Sequence, residues 1–288
     1  MKKIFLTFLF LSSLAWAAII SAQENTSSSI RIGLTGVIVQ ENLTLNEHLL
    51  KFIEKKLGIP VEMVMRDTYK EINDMMEKRE LDIAFTCSPP YIMGHNSFSA
   101  ELLVVPQING KPMYYSYTIV HADSPAKSFE DLRGKRYAYS DPLSNSGFLA
   151  PSYRLAQMGE TPESFFKKHV YTRSHYNSIE AVAMKVVDGA SVDSYVWHLT
   201  YTTNPELISK TRILEKGDLY PFTPFTIRSD IAINLKKKIK DIFLNMDKDA
   251  EGKEILRRLL VDKFVEADDS FYNPIRKMMK FVADKKKK

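Results

Sequence analysis

Between Ile30 and Phe85 the hydrophobic period of the chain keeps switching, and that alternation limits the available folds more than any other feature. Ile30 to Leu34 is a short apolar run that reads as a strand. Leu45, Leu49, Phe52, Ile53 and Leu57 then recur at helical spacing. They follow the capping-box pattern Thr44-Leu45-Asn46-Glu47 and are stopped by Gly58 and Pro60. Val61 to Met65 reads as a second strand. Thr68-Tyr69-Lys70-Glu71 repeats the capping-box pattern ahead of a helix burying Ile72, Met75 and Met76, and Leu81 to Phe85 is a third strand. This order predicts a parallel sheet covered by helices, because parallel neighbours need a crossover that a helix supplies.

The pattern recurs further on. Leu102 to Val105 and Tyr114 to Val120 read as strands, the second long enough to cross between lobes. Ser128 to Gly134 reads as a short capped helix. Tyr137 to Tyr139, Val170 to Arg173 and Ala190 to Val196 read as strands, separated by helix-patterned segments at Phe148 to Met158, after Thr161-Pro162, and after Asn177. Arg212 to Leu214 and Phe225 to Ile227 are short strands. Helical patterns at Ile231 to Met246, Gly252 to Leu260 and Phe271 to Ala283 finish the chain. Two α/β units joined by two crossings predict a two-lobed clamshell, with lobe one at 30–117, lobe two at 118–212, and a return to lobe one with C-terminal helices at 213–288. Ligands in such architectures sit between lobes, at carboxyl ends of strands and N-termini of helices.

The N-terminus predicts export. Lys2 and Lys3 precede an apolar run from Ile4 to Ile20, and Ser21-Ala22 follows. This is a signal-peptide pattern over 1–22, with Ala22 or Ala17 as the cleavage point. The run has marginal length for a membrane anchor, but Ser12, Ser13 and the small residues near its end favour cleavage. Cys87 is the only cysteine, which excludes an intramolecular disulfide and a cysteine metal cluster. An exported chain without disulfides suits a bacterial periplasm. The formal charge of +5 falls to +3 without Lys2 and Lys3, a weak preference for anions. Lys285 to Lys288 reads as a solvated tail. No basic-aromatic array points to nucleic acid. The histidines lack metal-ligand spacing and there is no Gly-rich nucleotide loop, so neither a metal nor a cofactor is expected. Cys87 and His95 lack an orienting third group, so an enzyme is not expected.

Tyr139 to Pro151 is the most telling stretch for chemistry. A short apolar run feeds a polar turn, and Ser144, Asn145 and Ser146 sit where the next helix begins. Two readings stand: ordinary N-capping, or an anion cradle built from hydroxyls and unpaired N–H groups at the positive end of the helix dipole. Three further segments fall at the same predicted edge. Tyr69 begins a helix after a strand. Ser88 follows the Leu81 strand beside Cys87, and either caps a helix at Pro89 or faces the cleft. His175 follows the Val170 strand. Asp193, within a strand that reads as half-buried, needs a partner, either His175 or a proton-bearing ligand oxygen.

Several stretches together resemble the phosphate/phosphite/phosphonate periplasmic substrate-binding proteins of ABC transporters. They are Asp67-Thr68-Tyr69, Leu81 to Tyr91, Ser140 to Pro151, Ser174-His175 with Ser178-Ile179 and Ala181-Val182, and Asp188 to Ser194. The resemblance implies an α/β fold, a type II binding-protein clamshell with parallel-rich sheets flanked by helices. It implies that Ser144, Asn145 and Ser146 hold a phosphorus oxyanion, that Tyr69 donates from the first lobe, that His175 contacts an oxyanion oxygen, and that Asp193 faces the ligand. An acidic group beside an anion needs a proton between them, from a P–OH or an amino group. Thr86 stands where some members of that family carry an aromatic, which makes the wall more open or more polar. Tyr220 to Phe225 departs from the family's turn near the return crossing.

The expected function is therefore periplasmic capture of phosphate, phosphite or phosphonate, by a monomer that delivers it to an inner-membrane ABC permease. The alternative keeps the clamshell but presents a small anion to a membrane sensor kinase or similar receptor.

Overall fold

The computed structural model describes residues 29–39 and 43–286. The expected signal peptide at 1–22 lies outside the described residues. Along the chain run β1 (Ile30–Thr35), α1 (Gly36–Val39), α2 (Leu43–Leu57), β2 (Val61–Arg66), α3 (Tyr69–Glu77), β3 (Ile83–Phe85), α4 (Ser88–Phe98), β4 (Glu101–Gln107) and β5 (Met113–His121). Then come β6 (Arg136–Tyr139), α5 (Ala150–Gln157), α6 (Pro162–Phe165), β7 (Lys168–Tyr171), α7 (His175–Ala183), β8 (Gly189–Asp193), α8 (Ser194–Thr203), α9 (Pro205–Ser209) and β9 (Thr211–Pro221). The chain closes with β10 (Phe225–Ile227), α10 (Ile233–Leu244), α11 (Ala250–Arg258), β11 (Lys263–Val265) and α12 (Asn273–Lys286).

Two mixed sheets organise these elements. The first has the order β11-β4-β10-β3-β1-β2 and the second β7-β6-β8-β5-β9. In the first, β2, β1 and β3 are parallel, as the sequence alternation predicts, and β10, β4 and β11 add antiparallel strands. In the second, β7, β6 and β8 are parallel, while β5 and β9 run antiparallel. The chain passes from the first sheet to the second between β4 and β5, and back between β9 and β10. Ile30, Ile32 and Leu34 of β1 are buried with Leu49, Phe52, Ile53 and Leu57 of α2, while Ile72 of α3 packs on the opposite face, against Gly33 and Leu81, so burial follows the periodicity read from sequence. The second lobe adds an aromatic cluster of Phe129, Tyr137, Tyr139, Phe165 and Phe166.

Two departures from expectation have physical reasons. The strand expected from Ala190 to Val196 ends at Asp193, and α8 starts at the next residue. Asp193 caps α8, its carboxylate accepting the Tyr195 N–H at 2.7 Å. The aromatic and β-branched content of Ser194–Thr203 disguises a helix that the cap initiates. The strand expected at Arg212 to Leu214 extends to Pro221, because β9 pairs along the whole of β5.

Candidate functional site

The carboxyl ends of β1 and β3 and the N-terminus of α3 carry the first-lobe side of the candidate site. In the parallel register Gly33 lies beside Ala84, which brings Thr35, the last residue of β1, level with Thr86, the first residue after β3. The Thr86 N–H donates to the Pro224 carbonyl at 3.1 Å, so Thr223 joins them. The hydroxyls of Thr35, Thr86, Thr223 and Tyr69 are buried without a hydrogen-bond partner in the protein. Ser88 is fully buried too, but its hydroxyl donates to the Pro221 carbonyl at 3.3 Å, at the return crossing.

The second-lobe side is the turn after β6. Asn145–Leu149 is a π-helical turn that runs into α5, where Pro151 falls at the start. Ser144 is its N-cap, its Oγ accepting the Gly147 N–H at 3.0 Å. Capping, one of the two readings of this stretch, is thus a fact for Ser144. It does not account for the two residues that follow. Ser146 Oγ and Asn145 Oδ1 are buried without partners, as is Ser140 Oγ. Each such atom costs about 1–3 kcal/mol if nothing polar meets it. Asn145 Nδ2 donates to the Tyr114 hydroxyl at 3.0 Å, and the Asn145 N–H points at Cys87 Sγ at 3.2 Å, a contact from one lobe to the other. Gly147 is required by close approach: a Cβ there would lie 1.9 Å from Ser140 Oγ and 3.0 Å from His175 Cε1.

His175 opens α7 at the edge of the same turn. Its Nδ1 accepts the Asp193 main-chain N–H at 3.1 Å. A neutral imidazole whose Nδ1 accepts carries its proton on Nε2, and that atom sits 3.4 Å from Ser144 Oγ. Burial pushes the imidazole down to about 3, so the ring is a neutral donor at physiological pH. Asp193 does meet His175, but through its backbone; one carboxylate oxygen, Oδ1, accepts the Tyr195 N–H at the α8 cap. Burial pushes that carboxyl up to about 7. Burial likewise raises Cys87 to about 12, an inert thiol, and lifts Tyr69 and Tyr114 well above the ordinary phenol range.

Of the residues singled out from the sequence, Ser144, His175 and Asp193 are joined by direct contacts, Asn145 and Ser146 continue the Ser144 turn, and Tyr69 and Ser88 lie buried on the first lobe. Sequence reasoning did not single out Thr35, Ser140, Tyr114 or Thr223 as site residues. The register of β1 on β3 and of β3 on β10 places the threonines, and the signal available earlier was only that each ends or follows an apolar run. Among the described residues the one buried Lys or Arg is Lys236, and it pairs with Glu101 at 2.6 Å. Among the described residues no cluster of metal-ligating side chains is found. The arrangement offers backbone N–H groups, hydroxyls and one imidazole N–H, facing a protonatable carboxyl. Donors of this kind suit a small oxyanion.

A family model described as the periplasmic phosphonate substrate-binding protein of ABC transporters matches residues 38–272. The phosphonates-binding periplasmic protein of Escherichia coli K12 is 29% identical over 287 residues, covering 97% of this chain and 85% of that protein. A binding-protein component of an ABC phosphonate transporter from Pseudomonas aeruginosa superposes with a TM-score of 0.84 at 27% identity, covering 90% of this chain and 87% of that one. A Prochlorococcus marinus binding protein solved with methylphosphonate shares the fold, with a TM-score of 0.80 at 19% identity over 89% of this chain and 98% of that one.

Proposed function

Because the chain belongs to the phosphonate periplasmic substrate-binding family of ABC transporters, we propose that its interlobe chamber binds a small phosphorus oxyanion, a phosphonate first among them. It is a binding protein of a transport system and not an enzyme. The observation that carries the ligand chemistry is the set of buried, partnerless hydroxyls on both walls, Tyr69 and Thr86 from one and Ser140 and Ser146 from the other. Leaving them unmet would be costly, and a tetrahedral oxyanion supplies acceptors in the directions needed.

In this reading the Ser146 hydroxyl and the N–H groups of the π turn hold phosphoryl oxygens, His175 donates through Nε2, and Tyr69 donates from the first lobe. Thr86 and its neighbours make that wall polar. Asp193 favours a ligand that brings a proton, as P–OH or as an ammonium group, because two bare anions would repel in a buried chamber. Ser88 acts indirectly, by bracing the return crossing. The crossings at 108–112 and 222–224 serve as the hinge on which the lobes open and close. A signal peptide at 1–22 exports the chain, and the closed monomer docks on an inner-membrane permease.

Calorimetric titration of ligand-stripped protein with phosphate, phosphite, methylphosphonate and 2-aminoethylphosphonate tests the proposal. Saturable binding of at least one, lost in Ser146→Ala and Asp193→Ala, is the expected result. A folded protein that binds none of them rules the reading out.

A further inference from the structure

Ser116 interrupts an aromatic run of β5, Tyr114-Tyr115-Ser116-Tyr117, and is 6% exposed. A buried hydroxyl in a strand needs a partner. Here the partner is the main-chain carbonyl of Ser146, to which Ser116 Oγ donates at 2.7 Å. Ser116 lies opposite Asp193 in the β5–β8 register, so the two side chains share one face of the sheet.

The Ser146 carbonyl needs a donor from outside its own helix. In the π turn the Leu149 N–H donates to the Ser144 carbonyl at 2.9 Å and the Ala150 N–H donates to the Asn145 carbonyl, each five residues back. The next N–H of that series would belong to Pro151, which has none. The series breaks at the Ser146 carbonyl, and the Ser116 hydroxyl meets it there. The other edge of the same peptide unit, the Gly147 N–H, donates to Ser144 Oγ at 3.0 Å. A peptide unit is planar, so holding both its carbonyl and its N–H fixes its rotation. Gly147 has no side chain to restrict the backbone at this point, and the two hydrogen bonds restrict it instead.

We propose that Ser116 is a positioning residue for oxyanion binding: its hydroxyl clamps the Ser146–Gly147 peptide from behind and so aims the Ser146 hydroxyl, which has no partner in the protein. Without the clamp the peptide can turn its carbonyl toward the ligand, and an acceptor facing an oxyanion repels it. The clamp acts through Ser146 and not by contact with the ligand. This inference rests on the oxyanion reading of the Ser144–Ser146 turn given above.

Calorimetric titration with methylphosphonate, alongside thermal unfolding, tests the clamp in three variants. Ser116→Ala removes the hydroxyl. Ser116→Thr keeps it, and the cavity of about 310 Å³ that Ser116 lines leaves room for the added methyl group. Ser191→Ala is the control: Ser191 is 1% exposed, lies on the same sheet face opposite Thr118, and its hydroxyl meets the Tyr137 hydroxyl at 2.5 Å instead of the turn. The expected affinity is about tenfold lower in Ser116→Ala, within about threefold of the parent in Ser116→Thr and unchanged in Ser191→Ala, although both alanine variants lower the melting temperature. Parent affinity in Ser116→Ala overturns the clamp. An equal loss in Ser116→Thr also overturns it, by assigning the effect to packing, as does an equal loss in Ser191→Ala, which makes any buried hydroxyl of this face equivalent. If the parent protein binds no methylphosphonate, the oxyanion reading is judged by phosphate, phosphite and 2-aminoethylphosphonate alone. Hydrogen exchange of the Gly147 amide in the ligand-free protein then decides the clamp: faster exchange in Ser116→Ala than in Ser191→Ala supports it, and equal exchange removes it.

Discussion

At the scale of single residues, two buried titratable groups meet at the candidate site with opposite proton demands. If opening of the proposed clamshell lets water reach both, each returns toward its ordinary value. On closing, Asp193 is held protonated up to about 7, so closure takes up a proton between roughly pH 4 and 7, and its contribution to affinity falls as pH rises through that window. His175 is held neutral down to about 3, so closure expels a proton between roughly pH 3 and 6.5, and its contribution rises with pH. Through the overlap the two slopes offset. Asp193→Asn should therefore gain affinity relative to the parent as pH rises from 4 to 7, by up to about tenfold per pH unit, and level off above. His175→Gln should show the reverse trend up to about pH 6.5. Methylphosphonate affinities taken as ratios to the parent cancel the titration of the ligand itself; two flat ratios would show that neither group is dehydrated on closing. Tyr69→Phe separates ligand binding from folding in another way. Its hydroxyl has no partner in the protein, so deleting it should leave or raise the ligand-free melting temperature while weakening binding roughly tenfold. Equal affinity in titration would place the phenol away from the ligand.

At the scale of elements, the start of the π turn is fixed by how closely it packs on β6 and α7. Gly147→Ala pushes a methyl group into the Ser140 side chain and against His175. The turn must shift, and a cradle that works by aimed N–H groups tolerates little shift. The expected outcome is a loss of affinity of about a hundredfold with a lowered melting temperature, read by calorimetric titration and thermal unfolding; unchanged affinity would detach this turn from the site. Much of this element was legible in the sequence. Ser144-Asn145-Ser146-Gly147 after an apolar run and before Pro151 states a strand, a capped turn and a helix start, because each residue type carries its own backbone preference. α3 was legible for the same reason, its capping box forming between Thr68 and Glu71 as the spacing predicts. α8 was not. Ser194 to Leu199 has the composition of a strand, and the side-chain bond of Asp193 to the Tyr195 N–H, a local cap hidden inside an apolar run, marks where the chain turns into a helix. The threonines at 35, 86 and 223 were illegible as a group, since they meet only through strand register between distant segments.

At the scale of the whole molecule, α12 is a third link between the lobes beside the two crossings. It starts on the first lobe, where the Tyr272 hydroxyl just ahead of it donates to the Phe222 carbonyl at 2.8 Å and Ile275 is fully buried. Arg276 holds Asp269, which in turn accepts the Tyr91 hydroxyl of α4 at 2.6 Å. Farther along, Phe281 meets Tyr153 of α5 edge to face, with ring centroids 5.1 Å apart, and α5 belongs to the second lobe. A helix anchored at one end on one lobe and touching the other through an aromatic pair can act in two ways. If α12 stays with the first lobe, the pair forms on closing, and Phe281→Ala removes a contact worth about 0.5–1.5 kcal/mol beyond its buried area. Methylphosphonate affinity should then fall severalfold, with an increased radius of gyration in solution scattering of the ligand-saturated protein. If α12 moves with the second lobe, the pair persists in both forms, and the same substitution lowers the melting temperature while leaving affinity and radius unchanged. The anchoring by Tyr272, Ile275 and Arg276 favours the first outcome. The second would move the effective hinge to the junction ahead of Asn273, so closing would carry α12 across the face of α4.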